Sequence, residues 1–223
     1  MVLYNYEHQK NIIQTTAALS GIAAFIIGIP GLIIIGGLKP GYNLLCHTIS
    51  ELGEYGGYNY RIARFLFIVT GIFEVFFALG LMSILRKNRP AVTGAILIIC
   101  HGIFDNIGSG IFPCDPGRIA ESFSGQMHYL VSAIRMLALV IAPFFFWRAF
   151  FIGRRFSGNR LHYSTALVAL FTAAAAVAFN ISFFSNTLVG LTQRMVYFPY
   201  YVLILVISIK MLKDKNQTTE NEK

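Results

Sequence analysis

Long apolar runs alternate with short polar segments along most of the chain. Six of these runs reach about 20 residues or more, the length of helix that crosses a bilayer core about 30 Å thick. The polar segments between them are too short to form separate soluble domains. The pattern therefore predicts six membrane spans, at residues 12–38, 60–85, 91–111, 127–150, 162–184 and 192–212.

The spans are predicted to be α-helices. Lipid offers no hydrogen-bond partners to the backbone, so a spanning segment must be a helix or a strand of a closed barrel. The apolar runs lack the period of two that marks barrel strands, and Pro30 predicts a kink in the first helix. The expected fold is an all-α, polytopic membrane helix bundle. Residues 1–212 would form a single integral membrane domain, followed by a disordered polar tail over 213–223.

Composition agrees with a membrane protein. Hydrophobic residues make up 56% of the chain and charged residues 13%, whereas soluble domains carry about a quarter charged residues. The formal net charge is +8, and twelve of the 18 Lys and Arg residues fall on one side of the predicted spans. These twelve are Lys10, Arg86, Lys87, Arg89, Arg148, Arg154, Arg155, Arg160, Lys210, Lys213, Lys215 and Lys223.

The side with more basic residues is predicted to be cytoplasmic, with both termini inside. Anionic lipid of the inner leaflet then accounts for the positive charge, so the expected partner is membrane lipid and no nucleic acid. We expect the protein in the cell (inner) membrane of a bacterium or an archaeon. The other side, with the span ends and interiors, holds Lys39, Arg61, Arg64, Arg118, Arg135 and Arg194.

Two polar segments rich in reactive groups fall on the outer side. The first is CHTISELGEYGG, residues 46–57, and the second is FPCDPGRIAESFSGQMHY, residues 112–129. The inner connections are short and basic by comparison. Any chemistry is therefore expected outside the membrane or in the outer half of the bilayer.

Four residues of the outer segments have side chains that suit either a metal site or helix caps: His47, Glu51, Asp115 and His128. His47 and Glu51 are four residues apart, so they share a face if the segment is helical. Joined by Asp115 and His128, they predict a zinc site with an open position for water, with His47, Asp115 and His128 as ligands. The alternative is that these groups cap helix ends and hydrogen-bond one another.

Ser50, Cys46 and Cys114 each allow two interpretations. Ser50 completes the catalytic candidates His47, Glu51, Asp115 and His128 if a histidine acts as its base, or its hydroxyl bonds to the backbone. Cys46 and Cys114 pair as a disulfide that pins the two outer segments together if the outside is oxidising, or they stay free thiols.

Four ionisable residues lie inside predicted spans, where charge is costly and usually finds a partner. A rise of 1.5 Å per residue places Asp105 and Arg135 at one depth and Glu74 and His101 at another, so an Asp105–Arg135 ion pair is predicted. His101 and Asp105 also share a helical face. The resulting polar network is a proton path, a polar substrate pocket or structural glue.

Three polar residues near the outer ends of the spans are candidates for substrate binding. Arg135 and Arg194 would clamp a phosphate or carboxylate headgroup, with Asn180 nearby. The alternative for Arg194 is an interfacial arginine that extends its charge towards water.

The motifs HTISELG, IFPCDPG and MHYLVSAIR, at 47–53, 111–117 and 127–135, resemble those of the six-helix membrane family catalogued as domain of unknown function 998. The resemblance covers nearly the whole chain and implies a polytopic fold without a settled activity. A fainter similarity, an Ile-Ser-acidic motif in the first outer loop of six spans, links the chain to the DRAM/FRAG-type membrane proteins. Some of those are connected with remodelling of lipid anchors.

Three functions follow as hypotheses. The first is a membrane-embedded hydrolase or transferase that acts on a lipid or lipid-linked group at the outer leaflet. The second is an ion- or proton-coupled small transporter, which uses the buried charged residues as a relay. The third is a non-catalytic membrane scaffold or sensor.

Overall fold

The computed structural model of the chain describes residues 2–152 and 159–220, with side chains over 9–151 and 161–214. The α-helices are α1 Val2–Ile26, α2 Leu32–Leu38, α3 Tyr60–Ile84, α4 Arg89–Cys100, α5 Gly108–Ile111, α6 Phe123–Ile152, α7 Asn159–Ser185 and α8 Val189–Glu220. Two π-helical turns, Ile27–Gly31 and His101–Ile107, join α1 to α2 and α4 to α5. Two short 3₁₀ turns lie at Ser50–Gly53 and Pro116–Arg118.

The prediction of an all-α bundle with six spans is confirmed. Over residues 2–152 and 159–220 there is no strand, and six helical segments are long and apolar enough to cross a membrane. They are Gln9–Leu38, Tyr60–Ile84, Arg89–Ile111, Phe123–Phe151, Leu161–Ser185 and Val189–Asp214. The orientation of the termini stays a prediction.

The helices run alternately up and down, so three connections meet at one end of the bundle. We call this the upper end; it holds residues 39–59, 112–122 and 186–188. The backbone N–H of Leu191 donates to Leu45 O at 2.9 Å, and that of Tyr55 donates to Cys114 O at 3.2 Å. These bonds tie the first upper segment to both of its neighbours.

The core lies where α1 packs on α3 and α8, and where α4 and α7 pack on the long α6. Phe77, Leu81, Phe146, Tyr200 and Tyr201 are at most 1% exposed. Many other large apolar side chains face outwards over the spans. In water such a surface would be a liability, whereas in a bilayer it is the lipid-facing surface.

The structure differs from six regular helices at two wide turns. Pro30, predicted to kink the first helix, lies inside the π-helical turn Ile27–Gly31, where a wider ring accommodates a residue without an N–H. The second turn, His101–Ile107, interrupts the third span without a proline; it contains Gly102 and is followed by Gly108.

Several helices extend beyond their predicted ends. The first begins at Val2 rather than residue 12, and α8 continues to Glu220, into the segment predicted as a polar tail. Of the predicted inner basic residues, Arg154 and Arg155 lie outside the described residues, as do positions 221–223 of the tail.

Candidate functional site

The second π-helical turn concentrates buried polar side chains. In this turn His101, Asp105 and Asn106 all face the interior, because a wider turn brings residues four and five apart onto one face. Gly71 allows α3 to approach it, since a Cβ there would lie only 2.5 Å from Gly102 O. One turn further along α3, Glu74 reaches the same region.

These side chains form a buried network. The His101 Nδ1 atom lies 2.7 Å from Glu74 Oε2, and its Nε2 atom lies 3.0 Å from Asp105 Oδ2, at a poor hydrogen-bond angle. Asn106 Nδ2 donates to Glu74 Oε1 at 3.1 Å, and Tyr197 OH donates to Asp105 Oδ2 at 2.6 Å. Glu74 and His101 are 0% exposed and Asp105 is 4% exposed, so each charge depends on these partners.

Arg135 joins this network through Asp105. Both nitrogens of His101 face a carboxylate oxygen, and the Arg135 guanidinium brings a positive charge beside these acidic groups. Arg135 Nη1 donates to Asp105 Oδ1 at 2.5 Å, and the ion pair predicted from depth is therefore present.

The first upper segment contains a capping box, the arrangement TISE at residues 48–51. Glu51 Oε2 accepts from Thr48 N at 2.5 Å and from Thr48 Oγ1 at 2.8 Å. The Glu51 N–H faces Thr48 Oγ1 in return, at 3.4 Å. Glu51 thus accepts from the N–H and hydroxyl of Thr48, and the Thr48 hydroxyl faces the N–H of Glu51 within the Ser50–Gly53 turn, as the cap interpretation of Glu51 expects.

His47 stabilises the turn at residues 43–47, just before the capping box. Its Nδ1 accepts the Asn43 N–H at 2.8 Å, and its ring stacks on Tyr42 with centroids 5.4 Å apart. The Tyr42 hydroxyl donates to Thr48 O at 2.7 Å and accepts from Arg194. Burial raises the pKa of Tyr42 to about 12, against the opposing effect of Arg194, so the hydroxyl keeps its proton.

Asp115 organises the second upper segment. Its carboxylate accepts from Glu121 N, Ser122 N and Ser122 Oγ at 2.6–3.0 Å, and Ser122 Oγ accepts the Gly125 N–H at 3.0 Å. Ser122 is thus the N-cap of α6, which explains why the helix begins at Phe123 rather than residue 127. The hydrogen bonds from Ser122, before all other causes, lower the pKa of Asp115.

His128 lies one turn into α6 and is 5% exposed. Its Nδ1 donates to Phe112 O at 2.9 Å, which in the neutral imidazole leaves the lone pair on Nε2. No hydrogen-bond partner of Nε2 is found among the described residues. His128 is therefore oriented by the backbone and keeps a basic nitrogen available.

The predicted zinc ligands His47, Asp115 and His128 are each held by other groups. Among the residues whose side chains are described, no three His, Cys, Asp or Glu are grouped so as to hold a metal ion. The five catalytic candidates also divide: Ser50 and His128 line one cavity, whereas His47, Glu51 and Asp115 fix the upper segments around it.

Cys46 and Cys114 are both free thiols, and Cys100, in the third span, is free as well. Cys114 is 3% exposed and its Sγ donates to Ser50 O at 3.2 Å. Burial, reinforced by Glu54 and Glu51, raises the pKa of Cys114 to about 12. Cys46 is exposed. The disulfide between Cys46 and Cys114 stays a prediction.

Arg194 and Asn180 do not lie together around one headgroup site. Arg194 Nη1 donates to Leu44 O, His47 O and Gly190 O at 2.7–3.0 Å, so it holds the first upper segment on α8. Gly190 permits this contact, since a Cβ there would lie 2.3 Å from His47 O. Asn180 lines the cavity, and its Nδ2 donates to Ala176 O at 2.8 Å.

The cavity has a volume of about 240 Å³ and lies near the upper end, between the first two upper segments, α6, α7 and α8. Its apolar wall includes Phe179, Phe183 and Phe184 of α7. Phe184 is 85% exposed and Ala133, on the α6 side, is also exposed, so the cavity reaches the lipid-facing surface. Its polar wall includes Thr48, Ser50, Arg118, His128, Ser132 and Arg135.

A second, much smaller cavity lies beside Arg135. Its volume is about 10 Å³, which is room for about one water molecule. Asp105, Asn106 and Ser109 line it, and the buried Ser109 hydroxyl has no hydrogen-bond partner among the described residues. Ser50 and Arg135 line both cavities, so they separate the buried network from the larger cavity.

Ser132 and Arg118 are among the polar lining residues of the larger cavity that were not predicted as site residues. Ser132 lies four residues after His128 and three before Arg135, a helical spacing that the sequence displays. Its buried hydroxyl has no partner among the described residues. Arg118 sits in a loop, and only the Gly117 before it signals a tight turn.

A family model described as "Protein of unknown function (DUF998)" matches residues 21–210. No curated protein and no solved structure matches the chain. The similarity to DRAM/FRAG-type proteins stays a prediction. The matched segment contains four spans in full, most of the first and the sixth, the buried network and every residue that lines the cavity. The chain therefore belongs to the family described as protein of unknown function DUF998 and is an integral membrane protein.

Proposed function

We propose that this protein is a membrane-embedded hydrolase or transferase that acts on a lipid or lipid-linked group at the outer leaflet. The observation that carries the proposal is the cavity. It combines His128, Ser50 and Arg135 on its polar wall with an aromatic wall that reaches the lipid-facing surface. A ligand with a polar group and an apolar tail matches both walls.

The proposed base is His128. Its Nδ1 is committed to Phe112 O, so Nε2 is the atom that accepts a proton. The Ser50 hydroxyl lines the same cavity and makes no hydrogen bond to a described residue, so it is the proposed nucleophile. Arg135 holds the polar group of the substrate.

The proposed step transfers an acyl or phosphoryl group to Ser50. His128 Nε2 takes the hydroxyl proton as Ser50 Oγ bonds to the carbonyl carbon or the phosphorus. The bond to the leaving oxygen then breaks, and the imidazolium returns the proton to that oxygen. Water then attacks in a hydrolysis, or a second alcohol in a transfer, and His128 takes the proton of the attacking hydroxyl. The bond between Ser50 Oγ and the transferred group breaks, and the imidazolium returns the proton to Ser50 Oγ.

Packing below the buried network supports an enzyme over a transporter. Phe77 and Leu81 follow Glu74 along α3, and Leu139 and Phe146 follow Arg135 along α6. All four are at most 1% exposed. A relay between the two faces of the membrane would have to pass these large apolar side chains, whereas a cavity near the upper end suits chemistry in one leaflet.

Turnover by the purified protein tests the proposal. The panel comprises ester lipids, phospholipids and lipidated peptides, and the key variant is His128→Asn, whose amide keeps a donor for Phe112 O. We expect it to lower kcat by about 10²–10⁴-fold. Ser50→Ala should have a comparable effect if Ser50 is the nucleophile.

The matched controls are His162→Asn, near the lower end of α7, and Ser185→Ala, at the exposed end of the same helix. Both should retain kcat. If no member of the panel is turned over, or if His128→Asn behaves like His162→Asn, the proposal is wrong. Loss of activity in His128→Asn alone, with Ser50→Ala active, would assign the attack to water.

A further inference from the structure

The larger cavity is lined by basic side chains. Two guanidinium groups, Arg118 and Arg135, and one imidazole, His128, line it. No Asp or Glu is among the described residues that line the cavity. Asp105 faces the small cavity on the far side of Arg135, and Asp115 is bound to Ser122. An anion therefore meets donors and no opposing carboxylate.

Both arginines keep donors for a ligand. A guanidinium has five N–H donors, and the described contacts of Arg135 use its Nε, to Ser132 O at 3.3 Å, and one on Nη1, to Asp105. Arg118 uses Nη2, which donates to Asn186 Oδ1. The remaining N–H groups of both arginines have no described protein acceptor.

The backbone fixes Arg118 in place. Its φ is 59°, a left-handed conformation that few residues with a Cβ adopt. The Tyr129 hydroxyl donates to Arg118 O at 2.5 Å, which ties the turn to α6. The Arg118 guanidinium also lies 5.8 Å from the centre of the Phe183 ring. The polar wall and the aromatic wall of the cavity thus meet at Arg118.

The polar residues of α6 form a stripe along the cavity. His128, Ser132 and Arg135 are spaced by four and three residues and share one helical face over about 10 Å. The volume of 240 Å³ is below the roughly 300–1,000 Å³ of sites that enclose a drug-sized ligand. The cavity therefore suits the polar end of a lipid, with the tail outside it among the bilayer lipids.

We propose that the cavity binds the phosphate headgroup of a lipid, held between Arg118 and Arg135. Phe179 and Phe183 pack against the first carbons of its tail. This inference rests on the proposed function, since it names the substrate class of the same site, but it concerns binding and does not require turnover. Two guanidinium groups from separate elements match a phosphate, whose several oxygens accept from both.

Binding of a short-chain lipid phosphate tests this inference. The probe is dioctanoyl phosphatidic acid, added to the purified full chain in uncharged detergent, with dissociation constants measured by native mass spectrometry. Dioctanoyl glycerol, which lacks the phosphate, and glycerol 3-phosphate, which lacks the tails, are the two comparison ligands. The key variant is Arg118→Gln, and the matched control is Arg61→Gln, an exposed arginine near the upper end that does not line the cavity.

We expect the lipid phosphate to bind at least about tenfold more tightly than either comparison ligand, because one of them lacks the phosphate and the other lacks the tails. Arg118→Gln should weaken its binding by about tenfold or more, while Arg61→Gln leaves it unchanged. If dioctanoyl glycerol binds as tightly, the cavity does not recognise the phosphate. If glycerol 3-phosphate binds as tightly, the cavity does not recognise the lipid tails.

An Arg118→Gln variant that binds like Arg61→Gln would overturn the assignment of the site. Binding can be lost in these tests while His128→Asn still abolishes turnover, and binding can persist in a chain that turns nothing over. The failure of this inference and the failure of the proposed enzyme are therefore distinguishable.

Discussion

Arg135 on α6 and Asp105 in the second π-helical turn are joined by a 2.5 Å hydrogen bond between Nη1 and Oδ1. The pair is where the buried network meets the cavity, since Arg135 lines the cavity and Asp105 contacts His101. The network therefore positions the guanidinium that the proposed function uses. The same pair also gives each of two buried charged groups an opposite partner.

We expect Asp105→Asn and Arg135→Gln each to lower the free energy of unfolding by about 3–5 kcal/mol, since each leaves an uncompensated buried charge. The double variant should lose less than the sum of the two, with a coupling energy of about 1–3 kcal/mol. Unfolding in detergent-lipid micelles measures all four proteins. The matched control is the same cycle at Lys39 and Glu54, a less buried ion pair of 2.8 Å.

That control pair should couple by about 1 kcal/mol or less. Additive losses at Asp105 and Arg135 would show that the two residues act independently, and would remove the argument that the network positions Arg135.

The capping box gives a second prediction. Thr48→Ala removes both contacts of the threonine hydroxyl and should lower stability by about 0.5–2 kcal/mol. Thr48→Ser keeps the hydroxyl and should restore most of the loss. Thermal unfolding compares the three proteins, and equal midpoints for the alanine and serine variants would argue against the box.

The metal content of the purified protein decides between the two interpretations of the outer histidines. Because His47 and His128 are bound to different backbone groups, we expect no stoichiometric zinc by elemental mass spectrometry. One zinc per chain that is lost in both His47→Ala and His128→Ala would establish the zinc site and contradict the separate structural roles of the two histidines.

Thiol chemistry provides a further test. With a pKa of about 12, Cys114 is thiolate in only ~10⁻⁴ of molecules at pH 8, and the thiolate is the reactive form. A water-soluble maleimide should therefore label the exposed Cys46 rapidly and Cys114 very slowly. The Cys46→Ser variant should lose the fast phase of labelling. Rapid labelling of Cys114, or a Cys46–Cys114 crosslink in the isolated protein, would contradict the buried free thiol.

The sequence predicts the spans because their apolar length is a local property. It also predicts the Asp105–Arg135 pair, since depth follows from helical rise alone. The turn at His101–Ile107 is different: it depends on the close approach of Gly71 to Gly102, a contact between two helices that no local pattern records. The sequence does contain the capping box, because TISE is a local motif.

The cavity was the hardest feature to predict. Asp115 looks like a metal ligand in the sequence, and only its distances to Ser122 show that it organises a helix cap. Arg118 has no distinguishing neighbour in sequence apart from Gly117, and it becomes a candidate because the loop folds back onto Tyr129. Sites assembled from separate loops depend on tertiary contacts, which residue spacing does not encode.

The topology of the chain gives another prediction. From the excess of basic residues on one side, reporter fusions after Asn88 should be cytoplasmic and fusions after Gly56 should be outside. The opposite result would place the cavity in the inner leaflet. The binding proposal would then apply to lipids of that leaflet, and the outer-leaflet enzyme would be wrong.

Filling the cavity tests the central claim most directly. Ala133 lines it, whereas Leu137, one turn further along α6, is 65% exposed and does not line it. Binding of dioctanoyl phosphatidic acid should be at least about tenfold weaker in Ala133→Trp, since an indole occupies much of the volume, and unchanged in Leu137→Trp. If both variants fold and the Ala133→Trp protein binds the lipid as tightly as the Leu137→Trp protein, the cavity is not the lipid site.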